Sequence, residues 1–361
     1  MPLPITHTVA AILQKSSSDL IVDEIALPLN LETGQVLVEL ISSGLCGAQV
    51  NEIDAVKGPD KFLPHLLGHE GYARVLEVGQ GVKTVAPGDL VVMHWRPGTG
   101  IQSSPPVYKW RNENLNAGWV TTLNKHAIVS ENRITAIPKS DYNLNTIPLL
   151  GCALTTALGV LENDAKATFR DSLLIFGAGG VGMLLIKLAK FIGIREIVVV
   201  DIHEEKLSYA INLGSSSTVR FSTKAETMLN LNKIFASRAP TIAIDTTGNV
   251  DAIEICYEIS AKEARVILVG VPNSQSRATF YTLPLHFGKV LKGSHGGDSS
   301  PERDIPLLVD LISKERISFA DYPLQKFKLK EVNDAIQKMR DGVCGRMIID
   351  FTEGRENNGL Q

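Results

Sequence analysis

Apolar and polar positions change rhythm near residue 153. Before it, short runs rich in Val, Ile and Leu are bounded by Gly, Pro and polar residues. Gln35–Ile41 (QVLVELI) and Ala73–Val78 (ARVLEV) read as strands, and Asp89–Met93 (DLVVM), behind the Pro87-Gly88 turn, reads as a third. Many short strands with turn signals predict a barrel-like β unit. After residue 153, helical spacing alternates with continuous apolar runs. Ser172–Phe176 (SLLIF) shows no alternation, as expected of a strand covered on both faces. Glu196–Val200, Ala243–Asp245 and Val266–Val269 repeat the theme, and Gly182–Ile192 has helical spacing. This predicts a doubly wound parallel sheet. The tail predicts helices over Asp304–Lys314 and Leu329–Asp341, then a strand over Met347–Phe351. Residues 352–361 are polar and predicted to fray. No repeat of 20–50 residues occurs.

The 361 residues suggest two domains, or three. With 44% hydrophobic and 21% charged residues, disordered and fibrous classes are excluded. The net charge of −3 gives no argument for nucleic acid or an anionic membrane as partner. No run of 18 apolar residues is present, and the N-terminus lacks the basic and apolar segments of a signal peptide. The cysteines Cys46, Cys152, Cys256 and Cys344 are scattered, which fits a reduced, cytoplasmic setting.

Gly177-Ala178-Gly179-Gly180-Val181-Gly182 follows a buried strand and opens a helix. In this GxGxxG pattern Gly177 permits the tight turn, Gly179 lets backbone approach a pyrophosphate, and Gly182 lets helix and strand pack closely. The helix N-terminus offers free N–H groups to the anion. Asp201 ends the next strand. A carboxylate there accepts from ribose hydroxyls and repels a 2′-phosphate, so NAD is expected rather than NADP.

Cys46 (GLCG), His69 (GHE) and Cys152 (GCA) each read singly as a packed core residue. As a set, two thiolates and an imidazole are the ligands zinc prefers, with a fourth position left open for substrate or water. An open position means catalysis.

Together these stretches resemble the zinc-containing medium-chain alcohol dehydrogenases. The matching segments are GLCG, GHEGYARVLEVGQGVKTVAPGDLV (68–91), GC at Cys152, FGAGGVG (176–182), VVVDIHEEKL (198–207), KGSHGG (292–297) and CGRMIIDF (344–351), in family order along nearly the whole chain. The resemblance implies a GroES-like β-rich catalytic barrel, 1–153 plus 295–361, and a Rossmann NAD-binding domain, 154–294. It implies one catalytic zinc held by Cys46, His69 and Cys152, with Glu70 as neighbouring acid or transient ligand. It places Val181 behind the nicotinamide, Thr156 at its rim, Asp201 and Lys206 at the adenine ribose, Arg346 on a cofactor phosphate and Trp95 in the substrate pocket. It implies a homodimer or homotetramer joined through cofactor-domain edges.

Three departures from the family stand out. The hydroxyl that usually relays the alcohol proton is Ala48, and a histidine further along that relay is Asn51, so the proton needs another path. The aspartate that orients the ligand histidine is Gln49, whose amide oxygen is expected to accept the imidazole N–H without bringing charge. Residues 96–117 replace a four-cysteine lobe and contain no cysteine, so no structural zinc is expected. Trp95, Trp110 and Trp119 fall within one short stretch with Tyr108, Arg111, Asn112 and Asn114. Such a mixture suits a sugar, polyol or amino alcohol, or else the tryptophans cap the barrel core. His94 and His295 read as structural histidines.

The expected activity is hydride transfer between an alcohol or carbonyl substrate and NAD. The competing readings are a zinc-free enone or quinone reductase of the same fold, a redox-neutral enzyme using NAD transiently, and a non-catalytic NAD-binding protein. Ala48 is the best support for the last two.

Overall fold

The computed structural model describes residues 3–56, 58–139, 146–236 and 238–352. Among them the chain first forms β1 (His7–Leu13), β2 (Ile21–Ala26), β3 (Gln35–Gly44), α1 (Gly47–Ile53), β4 (His65–Leu66), β5 (Glu70–Val78), β6 (Leu90–His94), β7 (Tyr108–Trp110), β8 (Glu113–Leu115), β9 (His126–Ser130) and β10 (Ile134–Ile137). Next come α2 (Ala153–Gly159), β11 (Ser172–Phe176), α3 (Gly180–Ile192), β12 (Glu196–Asp201), α4 (Glu204–Leu213), β13 (Ser217–Arg220), α5 (Lys224–Ile234), β14 (Ile242–Asp245), α6 (Val250–Ile259), β15 (Arg265–Leu268) and β16 (Val290–Gly293). The tail holds α7 (Pro301–Ser313), β17 (Leu324–Phe327), α8 (Val332–Arg340) and β18 (Arg346–Asp350). The polar end predicted to fray lies outside the described residues from 353 onward.

Contacts divide the chain into two units. The first holds the described residues up to Cys152, Ser300–Arg316 and those from Pro323 onward. The second holds Ala153–Ser299 and Ile317–Tyr322.

In the first unit one sheet runs β4-β1-β2-β7-β8 and the other β10-β6-β5-β3-β18-β17, with β9 also paired to β3. Ala10 and Ile12 of β1 join a core with Leu37, Tyr108, Trp110 and Ile128, while Ala11 and Leu13 join a second with Val36, Val38 and Leu40. Both faces of β1 and β3 are therefore covered. That is why QVLVELI is apolar almost throughout instead of alternating. Burying each such Val, Leu or Ile contributes about 1.5–3 kcal/mol. The sheets form the nearly closed barrel that the strand density predicts.

The second unit is a parallel sheet in the order β13-β12-β11-β14-β15-β16, the doubly wound order. Leu174 and Phe176 of β11 and Val198 and Val200 of β12 fill one side of it. No helix among the described residues is long and apolar enough to cross a membrane.

Candidate metal and cofactor site

Three different local structures deliver Cys46, His69 and Cys152. Cys46 caps the N-terminus of α1 just after β3. His69 immediately precedes β5. Cys152 ends the short 3₁₀ turn Ile147–Gly151. Gly151 is required there, because a Cβ would sit 2.1 Å from the Met93 carbonyl oxygen and 3.0 Å from the Glu70 Cα. One ligand atom from each of Cys46, His69 and Cys152 lies within 4.8 Å of the others. No other group of three or more His, Cys, Asp or Glu gathers this way among the described residues.

The two thiols titrate as a pair. Cys46 is pulled well below the ordinary thiol range, first by the hydrogen bond with Cys152, then, against the cost of burial, by the positive charge of Arg346 and by His69. Cys152 is pushed well above that range by the same hydrogen bond, by burial and by the Cys46 charge. The pair thus behaves as one thiolate and one thiol, a donor set that would lose its remaining proton to solvent on binding a soft divalent ion. Two thiols and an imidazole fit zinc.

Glu70 is fully buried, and its Oε1 accepts from the Arg346 guanidinium at 2.6 Å. Arg346 is therefore no solvated surface charge. Its side chain is 6% exposed and sits beside the cluster, where it lowers the Cys46 thiol. Glu70 is not among the three residues whose ligand atoms gather.

The expectation for Gln49 needs correction. Its Oε1 accepts the Cys46 backbone N–H at 2.6 Å, and its Nε2 faces His69 Nδ1 at 2.9 Å. The amide NH₂, not the oxygen, meets the imidazole. Cys46 supplies a backbone N–H with no other role, and that donor claims the oxygen.

A cavity of about 550 Å³ in the first unit has His69 in its wall. Leu67, Phe62 and Trp119 give it apolar and aromatic surface, and Glu52, Asp60, His65 and Asn116 give it polar groups. Among the described residues no Lys or Arg lines it. His65 is held by the Leu66 carbonyl oxygen at 2.9 Å and by Asp60 Oδ2 at 2.7 Å. Burial works against the Asp60 carboxylate, yet the hydrogen bonds from the Phe62 N–H and from His65 keep it below its usual range. Sequence reasoning passed over Phe62, Asp60 and His65, which belong to no motif.

The three tryptophans separate. Trp110 is buried in the barrel core and donates its indole N–H to Asp23 Oδ2 at 2.8 Å, which is the core-capping reading. Trp119 is 51% exposed and lines the cavity. Trp95 is half-buried, carries the Arg96 guanidinium 5.6 Å from its ring centre, and is not among the residues lining this cavity. His94 is buried and fully paired, through the Arg96 carbonyl oxygen at 2.7 Å and the Thr135 hydroxyl at 3.0 Å.

In the second unit the glycine turn has the predicted form. Gly177 has φ +94°, and a Cβ on Gly182 would lie 1.8 Å from the Gly177 carbonyl oxygen. Gly179, the N-cap of α3, has open space where a side chain would project, and no side chain caps the helix. Asp201 Oδ2 accepts the Ala178 N–H at 2.7 Å and Oδ1 accepts the His203 N–H at 2.9 Å. Asp201 and Lys206 line a cavity of about 230 Å³ with Phe176, Phe221, Thr247 and Asn249, an aromatic slot beside two charges. Thr156 is buried in α2, and Val181 is half-buried in the first turn of α3.

Residues 32–139 match the family described as alcohol dehydrogenase GroES-like domain, and residues 180–314 match zinc-binding dehydrogenase. The chain belongs to the zinc-binding, medium-chain alcohol dehydrogenase-like family. Alcohol dehydrogenase 6 of Peromyscus maniculatus is 26% identical, over 94% of this chain and 96% of that protein. An alcohol dehydrogenase zinc-binding domain protein from Burkholderia ambifaria superposes with a TM-score of 0.85 at 24% identity, covering 95% of this chain and 98% of that one. Benzyl alcohol dehydrogenase from Acinetobacter calcoaceticus gives 0.84 at 22%, covering 96% and 99%. With the gathered Cys–His–Cys ligands, membership in this alcohol dehydrogenase family makes the chain a zinc-dependent, NAD-using oxidoreductase.

Proposed function

We propose that this alcohol dehydrogenase interconverts a polar alcohol and its carbonyl partner, with a sugar, polyol or amino alcohol as substrate. The observation that carries this reading is the wall of the 550 Å³ cavity at His69. It combines aromatic faces with the Glu52 and Asp60 carboxylates and the Asn116 amide, and among the described residues includes no Lys or Arg. Carboxylates and amides suit hydroxyl and ammonium groups, while phosphate or carboxylate on a substrate would be repelled.

Cys46, His69 and Cys152 would hold one zinc per chain. Zinc there would acidify a bound hydroxyl or polarise a carbonyl. NAD would accept the hydride, with its ribose at Asp201 and Lys206, its pyrophosphate at the glycine turn, and Val181 and Thr156 at the nicotinamide. The protein's own work is to hold the reacting carbon in register and to keep water out. Arg346, paired with Glu70, keeps positive charge beside the thiolates and would serve a cofactor phosphate. Trp95 would border the substrate pocket, as the resemblance implies. Ala48 and Asn51 cannot relay the alcohol proton. Glu52 and Asp60 are the carboxylates that border the cavity, and they also line the neighbouring one with Ala48 and Asn51.

The test is metal content of the chelator-washed protein by plasma mass spectrometry, beside Cys46→Ala, followed by NADH formation across sugars, polyols, amino alcohols and acidic alcohols. We expect about one zinc per chain, lost in Cys46→Ala, and turnover confined to neutral and cationic alcohols. Zinc that survives Cys46→Ala would move the metal elsewhere. Preferred turnover of acidic alcohols would overturn the substrate reading.

A further inference from the structure

We infer that Gln49 disfavours metal binding by holding His69 in the tautomer that cannot ligate, so that a metal-ligating His69 leaves two donors facing each other whichever way the amide turns. The inference rests on the zinc reading of Cys46, His69 and Cys152. It starts from two hydrogen bonds of one buried side chain. The Cys46 backbone N–H can only donate, and it points at Gln49 Oε1 at 2.6 Å. The amide is therefore fixed with its NH₂ toward His69 Nδ1, 2.9 Å away. An NH₂ group can only donate, so Nδ1 must accept. A neutral imidazole that accepts at Nδ1 carries its proton on Nε2. Nε2 is the nitrogen left over for the cluster with the two thiols, and while protonated it has no lone pair for a metal.

Ligation through Nε2 moves the proton to Nδ1 without changing the charge of the ring. Nδ1–H and the Gln49 NH₂ would then face each other as two donors. Rotating the amide relieves that conflict and creates another, because NH₂ then faces the Cys46 N–H. Gln49 is 1% exposed, so water has little access to mediate either arrangement. One amide cannot satisfy both Cys46 and a metal-ligating His69, whereas a carboxylate, which accepts on both oxygens, can. Gln49 is thus a positioning residue that acts through the histidine. Partners of metal-bound histidines typically change metal affinity about 10–100-fold.

Two measurements test this. Nitrogen-15 spectra of the histidine rings, with the His69 signals assigned by their loss in His69→Asn, read the tautomer of the metal-free wild-type protein. We expect a bare Nδ1 and a protonated Nε2, exchanging places when zinc is added. A protonated Nδ1 in the metal-free protein overturns the inference. Zinc affinity is then measured by competition with a chromophoric chelator for wild type and for Gln49→Glu, which keeps the side-chain length. We expect at least tenfold tighter binding in Gln49→Glu, with the unfolding midpoint of the metal-free protein little changed. Equal or weaker binding overturns it. If neither protein binds zinc, the zinc reading itself fails and takes this inference with it. If Gln49→Glu does not fold, Gln49→Asp is measured in its place against the same expectation.

Discussion

Single side chains in this protein are fixed by what their polar atoms must do. His94 is a clear case. Its Nδ1–H goes to the Arg96 carbonyl oxygen and its Nε2 lies 3.0 Å from the Thr135 hydroxyl, so both nitrogens of the neutral ring are partnered. Burial accordingly depresses it from 6.5 to about 4. Between those values the unfolded chain binds a proton that the folded chain refuses. The contribution is therefore complete above pH 6.5 and fades as pH falls toward 4, amounting to about 3 kcal/mol. Urea midpoints measured from pH 7 to pH 4 should fall less steeply in His94→Gln than in wild type; parallel curves would show that His94 is not the group responsible. The histidine was legible in the sequence as structural. Gln49 was not, because amide orientation depends on the backbone N–H of a neighbour and leaves no trace in residue type.

At the scale of elements, the glycine turn, β11, β12 and α3 make one unit whose spacing the sequence states openly. Gly182 sits where α3 crosses the Gly177 carbonyl, and no Cβ fits. Gly182→Ala should destabilise the fold by about 1–3 kcal/mol, as overpacking does, and weaken NADH binding. Thermal unfolding and NADH fluorescence titration would read both, and wild-type values in each would refute the account. The four inner strands of the parallel sheet were readable because they are buried and leave apolar runs, whereas the partly exposed edge strands β13 and β16 were not. Much of the barrel was less so. β7 and β8 are three residues long, and β4 is two. Their pairing is set by partners far along the chain, as when β18 returns to β3. The cavity wall at His69 was hidden for the same reason. Phe62 and His65 lie just before and at the start of β4, Trp119 lies beyond β8, and no motif joins them.

For the whole molecule, the outer edge of the parallel sheet is the feature that calls for a partner. β16 pairs only with β15 among the described strands. Beside it, Tyr281, Leu283, Phe287 and Val290 are 70%, 48%, 54% and 43% exposed. Apolar side chains along an open strand edge favour a second copy of the chain, in keeping with the expected homo-oligomer. Phe287→Glu should shift the mass measured by light scattering toward the single chain at micromolar concentration, and an unchanged mass would place the contact elsewhere. At the opposite end of the same sheet, Asp201 grips the Ala178 N–H as well as facing the aromatic slot. In the proposed reading, recognition and scaffolding are thus soldered into one carboxylate. A redesign that exchanged this acid to admit a phosphorylated ribose would also cut the tether of the turn meant to receive it, so coenzyme preference here cannot be rewritten at a single position.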